Sequence, residues 1–276
     1  MENKEVQRDT IKSFRRTVWA HYRKYGRELP WRRTADPYAI VVSEIMLQQT
    51  QVERVRGKYE EFLKRFPTFA SLAGASAQEV LHAWQGLGYN RRALSLLKLA
   101  RIVIKKHKGK FPRDLAELCK LPGVGRATAG SIAAFAFNVP AVFIETNIRR
   151  SLLHHFFPKK KKVPEEKIET LAAAVLDKKS PRKWYWALMD YGSMLGKTLP
   201  NANRRSSYYR KQSIFKGSDR ELRGRILRIL LEKSHIPVSA LLGMTEKSED
   251  KIYAILAALE KEGFLHQKKG IVMIAK

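Results

Sequence analysis

The sequence predicts a mostly α-helical protein in two parts: a large helical domain over residues 1–207 and a smaller unit of helices and a hairpin over residues 218–276. Three observations predict it. Apolar residues return at helical spacing in nearly every periodic segment, and no alternating strand pattern of useful length appears before residue 260. The polar, basic run YYRKQSIFKG at 208–217 separates two periodic regions, as a linker does.

In chain order, Val41, Ile45, Val52 and Val55 fall every three to four residues or multiples of that, which places them on one face of a helix through 41–55. The stretches Leu94–Ile104, Leu115–Leu118, Thr128–Phe137, Ile168–Leu176 and Tyr185–Leu195 carry the same period, and Trp184, Tyr185 and Trp186 are expected in the core. Gly86-Leu-Gly88, Gly109-Lys-Phe-Pro112, Pro122-Gly123 and Pro158 punctuate them. Lys159–Lys162 is expected as a solvated loop. Beyond the linker, Asp219–Lys233 is an amphipathic helix on Leu222, Ile226, Ile229 and Leu230, and Val238–Leu242 is a short one. Ser248–Glu262 is longer, with Thr245 and Ser248 as capping residues. Gly263 ends it, and FLHQKKGIVMIAK forms two short strands around Lys268-Lys269-Gly270. Three helices followed by a hairpin resemble a winged-helix domain, and Lys247, Lys251, Lys261, Lys268 and Lys269 put positive charge on it.

The 276 residues hold 54 Lys and Arg against 26 Asp and Glu, a formal charge of +28. With 44% hydrophobic and 10% aromatic residues, that charge sits on a folded core and not on a disordered tail; it gathers polyanions, nucleic acid above all. Its spread along the whole chain argues against a membrane-surface helix. The one cysteine, Cys119, excludes an intramolecular disulfide and a multi-thiolate metal site, and is expected as a small buried apolar residue. His154-His155 has no Cys or carboxylate at ligand spacing, so no metal is expected. The N-terminal run lacks the apolar core of a secretory signal, and the stretch from Gly130 to Ile144 is too short to span a membrane. A soluble, cytoplasmic, nucleoid-associated monomer is expected.

Three segments carry chemistry. In Leu121-Pro-Gly-Val-Gly-Arg126, close glycines turn the backbone so that its amides point outward at a helix N-terminus, a phosphate-binding arrangement; an αα-corner that needs glycine to turn has the same local sequence. The spacing of Gly123, Gly125 and Gly130 is not a dinucleotide fingerprint, and Gly192-Ser-Met-Leu-Gly196-Lys-Thr198 is one residue short of a P-loop. In Ser43-Glu-Ile-Met-Leu-Gln-Gln-Thr50, one acid sits among apolar neighbours with Gln48 a helical turn further on its side; a half-buried carboxyl there serves as a general acid, whereas a single Glu on a helix is otherwise a solvated charge. In Phe143-Ile-Glu-Thr-Asn-Ile-Arg-Arg150, Glu145 follows an apolar run, and its simplest role is a helix-start acid favoured by the macrodipole.

Taken in this order and spacing, Pro30-Trp-Arg32, Ser43 to Thr50, Gly86-Leu-Gly88-Tyr89, Leu121 to Arg126 and Glu145-Thr-Asn147 resemble the helix–hairpin–helix (HhH-GPD) DNA glycosylases, and within them the MutY-type adenine DNA glycosylases, over residues 14 to 200. The resemblance implies a two-part helical glycosylase domain that flips a nucleotide out of double-stranded DNA containing a mismatch or lesion and breaks its N-glycosidic bond. It makes Glu44 the general acid that protonates the leaving base, Glu145 the carboxylate that stabilises the oxocarbenium sugar, and Asn147 the residue that orients Glu44 or a water. Trp31 and Arg32 line the base pocket and Gln49 wedges into the duplex, with Gln48, Thr50, Tyr89 and Asp190 also on the substrate side. Gly123, Val124, Gly125 and Arg126 grip phosphate, with a monovalent cation at the hairpin. Where the endonuclease III branch has a catalytic Lys, this chain has Ala127, which implies base excision without strand cleavage.

Four differences from the family bear on the substrate. Glu145 stands where the family has Asp. The four-cysteine iron–sulfur motif is absent, and Arg204, Arg205 and Lys211 are expected to contact phosphate in its place. The C-terminal unit resembles a winged helix instead of a domain that reads 8-oxoguanine, and Asn90 replaces a second tyrosine. Adenine opposite G or 8-oxoguanine is the leading expectation. A damaged or mispaired pyrimidine (uracil, 5-hydroxyuracil or thymine opposite G) and a DNA-binding protein without catalysis are the alternatives.

Overall fold

The computed structural model describes residues 2–211, 214–233, 235–245 and 248–275, with side chains from Arg8 onward; Lys247 and two linker residues, Gln212 and Ser213, lie outside the described residues. The chain divides into two compact units. The first comprises 1–44, 113–120 and 124–211; the second comprises 45–112, 121–123 and 212–276.

The first unit contains α1 (Glu2–Tyr25), a 3₁₀ turn (Pro30–Arg32) and most of α2 (Pro37–Leu47). It continues with α7 (Leu115–Cys119), α8 (Arg126–Phe137), α9 (Thr146–Phe156), α10 (Glu165–Val175), α11 (Pro181–Thr198) and a 3₁₀ turn (Ala202–Arg205). Local sequence sets the starts: Asp114 caps α7 through the amides of Ala116 and Glu117, Glu145 caps α9, and Pro181 opens α11 where no amide is needed. The core runs along α11, where Trp184 and Tyr185 are buried and Phe14 of α1 meets Trp184 edge-on. Trp186 is half-buried and lies against Phe135. The P-loop-like glycines of α11 serve packing. A Cβ at Gly192 would lie 2.1 Å from the Asn147 carbonyl oxygen, and one at Gly196 would lie 2.3 Å from the Arg150 guanidinium. Small residues there let α9 approach α11 closely.

The second unit contains α3 (Val52–Arg65), α4 (Phe69–Gly74), α5 (Ala77–Trp84) and α6 (Arg91–His107), followed by α12 (Asp219–Lys233), β1 (His235–Pro237), α13 (Val238–Thr245), α14 (Glu249–Lys261), β2 (Leu265–Lys268) and β3 (Ile271–Ile274). Capping boxes start α4 (Thr68 with Ser71) and α5 (Ser76 with Glu79). The sheet order is β1-β3-β2, all antiparallel, with Ile236 opposite Val272 and Leu265 opposite Ile274. Lys269 and Gly270 both have positive φ, the backbone a two-residue type I′ turn requires. Phe264, Leu265, Val272, Ile252 and Leu256 form the core of this end of the chain.

Three sequence expectations are corrected and one element is added. The helix expected through 41–55 is two helices: α2 stops at Leu47, Gln49 turns with φ +55°, and α3 begins at Val52. Gln48 is therefore past the helix end and not one turn from Glu44 on the same face. One short strand that the sequence reading did not mark, β1, is only three residues long and takes its register from β3. Cys119 is exposed, since five-residue α7 buries only Leu118. Thr245 ends α13, its hydroxyl donating to the Leu241 carbonyl, and does not cap α14.

Candidate active site

Glu44 lies on α2, in a stretch of helix whose neighbours Ile40, Val41, Val42, Ser43, Ile45 and Met46 are all buried. Burial pushes its carboxyl up to about 7 from an ordinary 4.5. The Ser131 hydroxyl hydrogen-bonded to it and the Arg32 charge oppose this rise, and the nearby negative charge of Glu145 adds to it.

Glu145 is the N-cap of α9. Its Oε1 accepts from the backbone amides of Asn147 and Ile148, both at 2.7 Å, and its Oε2 accepts from Asn147 Nδ2 at 3.2 Å. Burial raises this carboxyl too, while the two amides and the charges of Arg150 and Arg149 pull it back. The negative charge of Glu145 thus favours the protonated form of Glu44, which gives up its proton only around neutrality. The proton stays on Glu44, because every contact to Glu145 comes from a donor and favours the carboxylate. The helix-start acid and the candidate stabilising carboxylate are thus one group, already oriented by its own helix.

Asn147 is held in turn: Arg150 donates to Asn147 Oδ1 and to the Gly192 carbonyl, both at 2.8 Å. Its side chain is joined to Glu145 and Arg150, so it orients the carboxylate. Arg32 makes a bidentate pair with Asp190 at 2.8 Å for each bond, with side chains only 7% and 1% exposed, and its guanidinium lies 5.5 Å from the Trp186 ring. Arg27 adds its backbone amide and Nε to the same carboxylate. Desolvation raises the Asp190 pKa, but Arg32 and Arg27 outweigh it and hold the group below the ordinary carboxylate range. With four donors on it, Asp190 fixes Arg32 and Arg27 in place. Trp31 is buried in the 3₁₀ turn beside them.

In the second unit, Gln48, Gln49, Thr50 and Tyr89 occupy two turns held by one residue that the sequence reading missed, Arg92. Its buried guanidinium donates to the carbonyls of Ile45, Met46, Gln48, Leu87 and Gly88 and to Thr50 Oγ1, at 2.6–3.3 Å. By taking the last carbonyls of α2 it ends that helix, which is why the 41–55 helix breaks. Burial lowers its pKa to about 10, still high enough to stay charged. Gln48 Nε2 donates to the Gly123 carbonyl at 3.0 Å, and Gly123 combines φ +82° with a Cβ position 2.9 Å from Ser95 Cβ, so glycine is required on both counts.

Among the remaining predicted residues, Val124 is buried, Gly125 is the N-cap of α8 and Arg126 is exposed. Arg204 is exposed, whereas Arg205 donates to the carbonyls of Leu153, Phe157 and Pro158 and closes the C-terminal end of α9, so it is not free to grip phosphate. An iron–sulfur cluster does not fit this chain. The segment after α11 has no thiolate, and hydrogen bonds from Asn203 to Thr146 and between Val163 and residues 205–207 hold it instead. Among the described residues, no group of three or more His, Cys, Asp or Glu side chains forms a metal site, and no helix is long and apolar enough to cross a membrane.

Residues 42–176 match the HhH-GPD superfamily base excision DNA repair protein family. The chain is 37% identical over 196 residues to the adenine DNA glycosylase of Buchnera aphidicola subsp. Baizongia pistaciae, covering 69% of this chain and 55% of that protein. It is 33% identical over 232 residues to that of Mycobacterium tuberculosis, covering 76% of each. The chain spans little more than half the length of the Buchnera relatives it matches. Among solved structures, a thermostable thymine-DNA glycosylase superposes with a TM-score of 0.61 at 26% identity, covering 68% of this chain and 88% of that one. A trapped endonuclease III–DNA covalent intermediate shares the fold with a TM-score of 0.56 at 22% identity, covering 69% and 86%. With these relatives and the shared fold, the chain belongs to the HhH-GPD superfamily of base excision DNA repair proteins, alongside the adenine DNA glycosylases.

Proposed function

We propose that this protein is a monofunctional DNA glycosylase that acts as a monomer on double-stranded DNA, flips out adenine opposite guanine or 8-oxoguanine, and hydrolyses its N-glycosidic bond. The observation that carries the proposal is the pair of carboxyls: Glu44, with a pKa of about 7, beside Glu145, whose oxygens accept only from donors. Glu44 donates its proton to N7 of the flipped adenine, and the C1′–N9 electrons pass into the purine as the bond breaks. The Glu145 carboxylate faces the oxocarbenium sugar, with Asn147 and Arg150 keeping it in register. Water adds to C1′ and its proton returns to the carboxyl pair, which restores the starting state. At position 127 the chain has Ala, so no Schiff base forms there and the strand stays intact.

The hairpin at Gly123–Arg126 and the amides at the start of α8 take the DNA backbone phosphate. A monovalent cation on the hairpin carbonyls would share the Gly123 oxygen with Gln48. The helix–hairpin unit at 218–276 extends the DNA footprint, and neither an iron–sulfur cluster nor a membrane takes part. The likeness to a structure named as a thymine-DNA glycosylase supports a second reading, excision of a mispaired or damaged pyrimidine opposite G.

Single-turnover excision decides between them, on duplexes holding A, U, T or 5-hydroxyuracil opposite G and A opposite 8-oxoguanine, each scored with and without alkali. Adenine release with strand breaks only after alkali is expected, and breaks before alkali would overturn the Ala127 argument. Glu145→Gln is expected to lose excision and keep salt-sensitive DNA binding. Tight binding with no release from any duplex would leave a DNA-binding protein without catalysis.

A further inference from the structure

The second unit carries a continuous rim of residues suited to a nucleic acid strand. It starts at Gly123, tied to Gln48 by a 3.0 Å bond, and continues through exposed Gln49 to Tyr89. Gln49 and Tyr89 both hold left-handed backbone, φ +55° and +47°, which costs energy in non-glycine residues and persists only where the surroundings impose it. Arg92 imposes it on both turns at once. The rim ends on the C-terminal part of the chain: Arg220 NH1 donates to the Tyr89 hydroxyl at 3.2 Å, and its guanidinium lies 6.0 Å from the ring of Phe215. Tyr89 is 38% exposed and Phe215 59%.

This contact is anchored. Glu262 accepts from Arg91 at 2.9 Å and from Arg223 at 2.7 Å, so α14 and α12 are both fastened two residues from Tyr89. Asp219–Lys233 then starts with Arg220 already on the rim. Two exposed rings with a guanidinium between them form a stacking surface with a cationic edge, and Gln49 adds an amide. That is the chemistry that binds an unpaired nucleobase.

We propose that Arg220 and Phe215 read the strand opposite the extruded nucleotide, with Arg220 addressing the acceptor edge of the base left unpaired and so setting the preference for guanine there. The proposal rests on the glycosylase reading, because extruding one nucleotide is what leaves its partner base unpaired. A guanidinium pairs best with the O6/N7 edge of guanine, a discrimination of roughly 1–3 kcal/mol, about 5- to 150-fold.

The test is single-turnover excision of adenine opposite guanine, 8-oxoguanine and cytosine by the full chain and by Arg220→Met, Phe215→Ser and Arg225→Met, each checked for an unchanged melting temperature. Arg225 is an exposed arginine on the same helix and serves as the charge control. Arg220→Met is expected to lower the guanine-to-cytosine rate ratio at least about fivefold, Phe215→Ser to lower all three rates, and Arg225→Met to leave the ratio unchanged. An equal loss on every opposite base would reduce Arg220 to a phosphate contact and overturn the proposal, as would no loss. If the unaltered chain releases no base, the glycosylase reading fails by itself. The rim is then judged by the affinity of the same variants for an abasic-site analogue opposite guanine or cytosine, where an unchanged ratio refutes it.

Discussion

Replacing Glu44 with Gln should abolish excision and yet stabilise the protein, increasingly so as the pH rises. The folded chain holds the Glu44 proton more tightly than the unfolded chain, with a pKa of about 7 against 4.5. The stability this group contributes is therefore fully present below pH 4.5 and is lost as the pH climbs through 7. A shift of about 2.5 units corresponds to about 3.4 kcal/mol, of which about 0.8 is lost by pH 5 and nearly all by pH 8. Gln is neutral throughout, so E44Q should exceed the parent by about 3 kcal/mol at pH 8 and by under about 1 kcal/mol at pH 5. At roughly 2–4 °C per kcal/mol, the gap in melting temperature should widen by at least about 5 °C over that range. Thermal unfolding in zwitterionic buffers from pH 5 to 8 measures it. In parallel, the parent's single-turnover rate should fall about tenfold from pH 6 to pH 8, following the protonated fraction of Glu44. A stabilisation independent of pH, or a rate that does not fall, would refute the assignment of the shared proton to Glu44.

Arg92→Met takes the guanidinium away from five carbonyls and the Thr50 hydroxyl, and with Trp84 Nε1 still on the Gly88 carbonyl, the Thr50 hydroxyl still on that of Leu87 and part of the remaining demand met by water, the loss should be about 3–5 kcal/mol, with faster proteolysis at 48–50 and 86–89; an unchanged melting temperature would show that the turns hold themselves. Gly192→Ala drives a methyl into the Asn147 carbonyl, where neither backbone can yield, and should cost about 1–3 kcal/mol and lower excision along with it. Denaturant unfolding and single-turnover kinetics on the same samples check both effects, and a variant as stable as the parent would remove the packing account of the glycine pair.

What the sequence made legible was local. The Glu145 cap needs only residues 145–148, the 268–270 turn needs its own glycine, and the helical period of 94–104 is visible without any partner. The errors share a cause, which is a charged or polar group whose partner is far along the chain. The 41–55 helix breaks because Arg92, more than 40 residues away, takes its last carbonyls, and nothing between 41 and 55 encodes that. Asp190 looks like a substrate ligand until Arg27 and Arg32, some 160 residues earlier, fill it.

The same distance effect decides how a charge of +28 is to be understood. Arg92, Arg205, Arg150 and Arg32 are spent on carbonyls and carboxylates that end helices and orient Glu145 and Asp190, and a guanidinium already donating to several protein acceptors has few donors left for DNA. Composition counts these arginines as polyanion-binding charge, but their positions make them fasteners. The charge that remains to meet DNA is on exposed residues such as Arg204 and Arg126, the latter paired only loosely at the surface with Glu169 at 3.8 Å. Salt dependence of binding should therefore respond to exposed residues like these, whereas removing the buried arginines should register first as lost stability.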